Sequence, residues 1–411
     1  MPDISLKFGS QNVALQIPDG KLVQARADRK LSHLGNVKEA VTDSLESPIE
    51  FPALRRALTP DDHIAIVVRQ ESNQLAVVVE AVIRHVLSAG VKVEQITVLV
   101  APQSLDSKHD WMNQLPGDCQ GFQLEEHHEE QSKLAYLAST KGGRRIYLNR
   151  VLVDADQIIV IGNARFDPVF GIASGLAELF PAFSDTATRL ELTRHLHESV
   201  PAVQHHYPVW KEIDEVGWEL GMPFVLCVLE GEGESVCGIL AGSAGPVQQQ
   251  AEMWLRSHRL LHLPEQVDLV IGTLTGNTSQ QSFLQLGHAA FRASLGVHQG
   301  GNIAIISEAG PVLPAGSEMV SAAESVVAGL TYVRKERNID SLPWWYLAHA
   351  MEHAKVYAYS RYQQEVMESL FIAPLDSAAQ AQNLIQQARS VLVVEGLDRA
   401  CLQIGSRSVG R

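Results

Sequence analysis

The sequence predicts an α/β protein with two domains. Short, continuously apolar runs rich in Val, Ile and Leu alternate with segments of helical periodicity, and a second alternating set begins near residue 263. A chain of 411 residues has the length of two large domains or three small ones. We therefore expect two α/β domains, residues 1–262 and 263–411, with a cleft between them. The last residues could pack back on the first domain.

The first elements form a βαβ unit. Residues 64–68 are a run of Ile, Ala and Val that is typical of a strand buried on both faces. Apolar residues between 75 and 87 recur at helical spacing, Gly90 ends that helix, and residues 96–100 form the next apolar strand. Parallel strands joined in this way cross over with a right hand.

Further elements follow in both halves of the chain, including a hairpin around the turn at 230–233. In chain order they are strands at 146–148 and 157–162, a helix at 212–220, strands at 224–229 and 235–240, a helix at 246–262, a strand at 267–272, a helix at 280–294, a strand at 302–307, helices at 317–333 and 344–354, a segment at 356–359 that is either a short strand or an extension of the preceding helix, a helix at 378–389 and a strand at 391–395.

Composition excludes several classes of protein. The chain has 33 Lys and Arg against 47 Asp and Glu, a net charge of −14, which argues against bulk nucleic-acid binding. Its four cysteines show no CxxC spacing, as expected in a reducing compartment. The start lacks the apolar core of a secretory signal, and no run reaches the ~18 apolar residues of a membrane span. We expect a cytoplasmic protein that binds a small molecule, with no nucleic-acid or membrane partner.

Polar segments follow several predicted strands. Open α/β sheets bind ligands beyond the carboxyl ends of their strands, so these segments are candidate binding loops. They are residues 69–74, which include Gln70, Ser72 and Asn73; residues 101–104, which include Gln103; residues 162–167 with the following glycine-rich run; and a hydroxyl-rich run at 272–279. The run at 272–279 either holds a phosphate or carboxylate on its backbone N–H groups or is a polar turn with a helix N-cap.

Residues 349–353 match the HxxEH pattern of inverted zinc proteases. On a helix, His349 and His353 would share one face with Glu352 beside them. Too little chain follows to supply the distant glutamate of that class, so we interpret this segment as a structural helix.

Several blocks in fixed order resemble the lactate racemase family of nickel-pincer-nucleotide enzymes. Residues 6–18 look like the opening strands of that family, and residues 57–68 look like its first core strand. Residues 142–162 are similar to a well-marked family block, and residues 281–289 and 300–308 are similar to its C-terminal domain. The resemblance runs through nearly the whole chain and implies the family's two-domain fold.

The resemblance also implies a chemistry. In that family a histidine takes the hydroxyl proton of a 2-hydroxy acid while a hydride moves to a nickel-bearing pyridinium, and a second histidine serves the other enantiomer. A lysine tethers the cofactor, another histidine ligates nickel, and Arg and Lys bind the substrate carboxylate. Imidazole suits proton transfer near neutral pH, and Arg offers a bidentate fork to a carboxylate.

Most of these functional residues are replaced in this chain. The carboxylate-binding Arg falls on Asn73, the first catalytic His on Leu105, the second on Asp167 and the tethering Lys on Ala177. Ala177 cannot tether a cofactor, so a nickel-pincer nucleotide would have to bind without that covalent bond. Racemisation of lactate by the usual mechanism is therefore not expected.

Other positions keep the family framework or offer substitutes. Gly171, Ser174 and Gly175 retain the glycine-rich block, and Gln285 matches a site glutamine, while the nearby site lysine becomes His288. His195 lies nearest to the nickel ligand, and the family's site tryptophan corresponds to Trp344 or Trp345.

Two hypotheses remain open. The first is a divergent racemase or epimerase in which Asp167 and His288 transfer protons and His195 binds metal. The second is a catalytically degenerate protein that binds or senses a small molecule, for which a neutral ligand such as a sugar derivative suits the polar loops. Both predict the same binding residues: Gln70, Ser72, Asn73, Gln103, Gly171, Ser174, Gly175, Gln285 and Trp345. Convergence of Asp167, His195, Gln285 and His288 across the domain interface would favour the enzyme.

Overall fold

The computed structural model describes residues 3–8, 11–69, 72–101, 110–167, 170–193, 209–276, 278, 281–314, 316–336 and 342–405. The chain forms two compact units. One is the continuous unit, Leu31–Leu255, and the other is the discontinuous unit, which joins Met1–Lys30 to Arg256–Arg411. None of the helices in the described ranges has the length and apolar character needed to cross a membrane.

The first thirty residues contribute three strands: β1 (Asp3–Phe8), β2 (Gln11–Gln16) and β3 (Leu22–Val23). The continuous unit then contains, in order, α1 (Val37–Glu46), β4 (Ile64–Val68), α2 (Leu75–Ser88), β5 (Ile96–Val100), β6 (Gln123–Glu126), β7 (Leu134–Ser139), β8 (Arg145–Asn149), α3 (Arg150–Asp154), β9 (Gln157–Asn163), β10 (Arg165–Asp167), β11 (Gly171–Ala173), α4 (Thr186–Thr193), α5 (Val209–Glu219), β12 (Phe224–Glu230), β13 (Val236–Ser243) and α6 (Ala244–His258), whose last turn crosses into the next unit.

The rest of the chain contains β14 (Leu260–Leu263), β15 (Val267–Thr273), α7 (Phe283–Ser294), β16 (Val297–Ile306), α8 (Ser317–Ser321), α9 (Val326–Glu336), α10 (Leu342–His353), β17 (Lys355–Tyr359), α11 (Gln364–Ser369), β18 (Ala373–Pro374), α12 (Ala381–Gln387), β19 (Val391–Val394) and β20 (Cys401–Ile404).

The continuous unit is organised around a six-stranded sheet of order β13-β12-β9-β4-β5-β6. All neighbours are parallel except β12 and β13, which form the predicted hairpin. Every residue of β4 is buried, as its unbroken apolar run predicts. Helices α1 and α2 pack their apolar faces against this sheet, and this arrangement fixes the carboxyl ends of its parallel strands along one edge.

The discontinuous unit contains a parallel sheet of order β18-β17-β16-β15-β19-β3. Here the structure differs from the boundary predicted at 262/263. Leu22 of β3 pairs with Val391 of β19, and Arg26 exchanges two backbone hydrogen bonds with His262, of 3.1 and 2.9 Å. These long-range pairings place the first thirty residues with the C-terminal part of the chain.

Two predicted helices need correction. The helix predicted at 246–262 ends at His258, because Leu260–Leu263 forms β14 and pairs with Cys401–Ile404. The helix predicted at 317–333 is divided into α8 and α9. In the first case a pairing with a strand at the far end of the chain outweighs local periodicity.

A fully buried histidine joins three segments of the continuous unit. His127 follows β6, and its Nε2 donates to Ser184 O at 3.1 Å. Its Nδ1 then accepts from Asn149 Nδ2 at 3.3 Å, and the same asparagine caps α3 through Oδ1. Burial lowers the pKa of His127, because the apolar surroundings disfavour the charged ring.

The lowered pKa of His127 predicts how the stability of the protein depends on pH. Because its pKa is lower in the folded protein, the unfolded chain binds the proton first, so stability is complete above about pH 6.5 and is lost as the pH falls below that value. Buried His85, which has the same direction of pKa shift, adds to the loss. We expect His127→Gln to reduce the slope of unfolding free energy against pH. The same substitution at exposed His128 is the matched control, and equal slopes in both variants would contradict the prediction.

Candidate functional site

The candidate site lies at the carboxyl edge of the sheet in the continuous unit. Arg69 directly follows β4, Asn163 ends β9 and Glu230 ends β12. Because these strands are adjacent and β9 is parallel to both neighbours, the three side chains belong to one edge. This is the position at which open α/β sheets bind ligands.

Buried Glu230 ties the three strand ends together. Its Oε1 accepts from Asn73 N at 2.8 Å, and its Oε2 accepts from Asn163 Nδ2 at 2.9 Å. Asn73 in turn donates both amide hydrogens to the turn after β12, at 3.0 Å to Gly233 O and 2.8 Å to Ser235 O. The predicted binding residue Asn73 therefore has a structural role in closing this edge.

A second carboxylate, Glu178, lies fully buried beneath the edge. Arg165 Nη1 donates to its Oε1, and Arg69 Nη1 lies 3.8 Å from its Oε2 and donates to Ala177 O at 3.3 Å. Glycine is required at 162, because a Cβ there would lie 2.3 Å from Glu178 Cγ. Two guanidinium groups thus share one buried carboxylate.

Asp167, the predicted catalytic residue, ends β10. Its Oδ2 lies 3.4 Å from Arg165 Nε, and its Oδ1 accepts from Phe170 N at 3.2 Å. The indole of Trp210 donates to Phe170 O at 2.8 Å and so anchors the same turn. The carboxylate is therefore held in a defined orientation beside a guanidinium group.

The glycine-rich block connects Asp167 to the 3-10 turn that contains Glu178. Gly171 and Gly175 have φ values of +74° and +58°, which favour glycine, and a Cβ at 175 would lie 3.3 Å from Val225 Cγ1. Ser174 between them is buried, and its hydroxyl bonds to Gln248. Gly171 pairs with Asp167, whereas Gly175 packs against Val225 near the start of β12 and Ser174 bonds to α6, so these three predicted residues shape the backbone rather than present side chains at the carboxyl edge.

Ser72 is the remaining described member of the predicted polar loop. Its side chain is buried, and within the described part of the chain its hydroxyl has no hydrogen-bond partner. Gln70 and Gln103 lie outside the described residues, as do Leu105 and the predicted metal ligand His195.

The other predicted site residues lie in the discontinuous unit. Gln285 accepts from Ser282 N at 3.1 Å and completes the capping box of α7. On the same helix, His288 packs against Tyr346 with ring centroids 4.5 Å apart. Both side chains thus have contacts that stabilise this helix and its packing.

Trp345 is fully buried in α10, and Trp344 is nearly so. The Trp345 ring packs against Phe291 and His349, with centroids 5.7 and 4.3 Å away. His353 Nε2 bonds to Val297 O at 2.8 Å. The HxxEH segment is thus part of a packed helix, as its structural interpretation predicted, and no group of three or more metal-ligating side chains occurs among the residues described.

A smaller polar cluster occupies the carboxyl edge of the sheet in the discontinuous unit. Thr275 bonds to Asp398 through its N–H at 2.9 Å and its hydroxyl at 2.6 Å. Glu308 accepts from Thr278 Oγ1 at 2.6 Å and from Arg361 Nη2 at 2.9 Å. These hydrogen bonds, with the Thr278 bond first, hold the pKa of Glu308 below its ordinary value.

The loops at this edge were predicted from the sequence, but five residues that form most of its polar contacts were not among the predicted site residues: Arg69, Asn163, Arg165, Glu178 and Glu230. The available signal was their position after predicted apolar strands. Nothing in the order of residues shows that Glu178 would reach back beneath Gly162, because that contact depends on how the glycine turn folds.

These features define a two-unit α/β protein with a polar site at a sheet edge, and residues 8–201 match the family model described as the lactate racemase N-terminal domain. This match confirms the predicted resemblance to the lactate racemase family. No curated protein matches it in sequence.

Solved structures show the same fold. The lactate racemase apoprotein from Thermoanaerobacterium thermosaccharolyticum aligns with a TM-score of 0.81 at 16% identity, over 98% of this chain and 100% of that one. A Thermotoga maritima protein from a structural genomics consortium aligns with a TM-score of 0.67 at 14% identity, over 90% of this chain and 98% of that one. The predicted α/β class is confirmed.

The residues present do not fit a lysine-tethered pincer cofactor. Ala177 occupies the position that the resemblance assigns to the tether, and its methyl group is fully buried. The next residue, Glu178, is closed on Arg165. An alanine offers no group that could form a covalent bond to a nucleotide.

Proposed function

We propose that this protein binds a small neutral polar molecule, such as a sugar derivative, at the carboxyl edge of the sheet in the continuous unit. The observation that carries the proposal is the pairing of both edge arginines with buried Glu178. Among the described residues, this edge has two guanidinium groups and three carboxylates, those of Asp167, Glu178 and Glu230. The described part of this edge therefore has no net positive charge and is poorly suited to a 2-hydroxy-acid carboxylate, which needs a cation for binding.

A divergent racemase or epimerase is the second candidate. Asp167 supports it, because Arg165 and Phe170 N orient this carboxylate at the position of a family base. A carboxylate can accept a proton, although hydride transfer would still require a cofactor bound without a covalent tether.

The first measurement is metal content, intact mass and near-ultraviolet absorbance of protein from its native host. Unmodified mass without nickel is expected if the edge binds a ligand and performs no hydride transfer. Stoichiometric nickel with a pyridinium-like chromophore would favour the racemase.

Titration calorimetry then distinguishes the ligands. We expect saturable binding of at least one of D-ribose, D-glucose and myo-inositol, and none of D- or L-lactate. Ser72→Ala should weaken that binding by about fivefold without loss of stability, because its hydroxyl has no partner within the described structure. Exposed Ser132→Ala is the matched control. Lactate binding with interconversion of its enantiomers, abolished by Asp167→Asn, would contradict the proposal and establish the second candidate.

A further inference from the structure

Apart from the site at the sheet edge, the continuous unit has a cleft between the β7–β8 hairpin and helix α5. Its volume is about 940 Å³, and the start of α6 and the side chain of Leu176 complete its lining. Pockets of roughly 300–1,000 Å³ are typical for small-molecule ligands. We call it the α5 cleft.

Helix α5 has two faces with different roles. Its buried face, which includes Val209, Ile213 and Val216, packs into the core. The opposite stripe recurs at three- and four-residue spacing and lines the cleft; it consists of Lys211, Asp214, Glu215, Trp218 and Glu219, and continues past the helix to Met222. Helical periodicity therefore aims a continuous row of side chains at the cleft.

Two polar contacts fix the cleft walls. Lys141 N donates to Glu215 Oε2 at 3.1 Å, and Arg144 Nη2 lies 3.4 Å from Glu212 Oε1. Both contacts connect the turn of the hairpin to α5. A Cβ at Gly217 would lie 2.4 Å from Leu176 Cδ1, so the glycine lets Leu176 pack closely against α5. The cleft is thus formed before any ligand binds.

The side chains exposed in the cleft indicate which class of ligand it would bind. Trp218 is 73% exposed and Met222 is 41% exposed, although both are large apolar side chains. Three carboxylates line the cleft against two lysines. An indole face and adjacent carboxylates attract an organic ammonium group, while the apolar lining covers a hydrocarbon body.

We infer that the α5 cleft binds an amphipathic organic cation, an amine with an aromatic or aliphatic body. This site is separate from the carboxyl edge described above and does not depend on the function proposed there. Trp218 supplies the stacking surface, and Glu219, which is exposed and lines the cleft, supplies charge.

The test uses 2-phenylethylammonium as the probe, with 3-phenylpropionate and 2-phenylethanol as anionic and neutral partners of similar size. Titration calorimetry on the full chain should show saturable binding of the ammonium compound and clearly weaker binding of the other two. Trp218→Ala and Glu219→Gln should each raise its dissociation constant by about threefold or more.

Matched controls keep the result interpretable. Leu124→Ala removes another exposed apolar side chain and Glu94→Gln another exposed carboxylate, both outside the cleft, and neither should change the dissociation constant. Equal affinity for 3-phenylpropionate would overturn the inferred charge preference. Unchanged affinity in Trp218→Ala, or no saturable binding at all, would overturn the site itself.

Discussion

Replacing Glu178 with Gln should lower the free energy of unfolding of the continuous unit by about 3 kcal/mol. The buried carboxylate is the shared partner of Arg165 and Arg69, so a neutral amide removes the charge that both guanidinium groups share beneath the sheet edge. Breaking one member of a buried ion pair costs far more than the intact pair contributes. Urea unfolding followed by circular dichroism measures the change.

Two comparisons make this prediction specific. Glu94→Gln removes an exposed carboxylate and should change the unfolding free energy by no more than about 0.5 kcal/mol. Combining Glu178→Leu with Arg165→Met should recover part of the loss, because both members of the Arg165–Glu178 pair are then removed together. If Glu178→Gln proved as stable as the Glu94 control, the ion pair would have no structural role and the edge arginines would be available to an anion.

Trp345→Ala should destabilise the discontinuous unit by about 3–5 kcal/mol. The indole is fully buried among Phe291, Tyr346 and His349, so its removal leaves a large cavity between α7 and α10. Thermal and denaturant unfolding would measure the loss. Trp345→Phe fills most of that space and should cost much less.

Trp218→Ala is the matched control, because it removes the same side chain from an exposed position and should change stability by no more than about 0.5 kcal/mol. The resemblance assigned a ligand-binding role to Trp345. A variant that folds with wild-type stability but loses ligand binding would support that role and contradict the packing role.

The central strands of the sheet could be predicted from the sequence because they are buried on both faces. The run at Ile64–Val68 is continuously apolar and the run at Ile96–Val100 is interrupted only by Thr97, and the structure forms strands over these same residues. The end of α6 could not be predicted, because Leu260–Leu263 becomes a strand only through its pairing with Cys401–Ile404.

The contacts of the candidate site could likewise not be predicted from local sequence. Position after a strand was sufficient to select the loops that contain Asn73 and Asp167. Whether a polar side chain in such a loop is available to a ligand depends on its partners, and Asn73 gives both amide hydrogens to the turn after β12. The resemblance aligned Ala177 with a lost tether, but it did not show that Glu178 would fill the space beneath Gly162.

The short 3-10 turn Gly175–Glu178 has neighbours on two sides. Leu176 lines the α5 cleft, whereas Ala177 O and the Glu178 carboxylate hold the arginines of the sheet edge. If a ligand in the cleft displaced Leu176 and moved the backbone of this turn, it would alter how those arginines are held. Thermodynamic linkage makes such coupling reciprocal, so whatever binds at the edge would change affinity in the cleft by the same factor. One turn of backbone would then let two chemically unlike molecules report on each other's concentration.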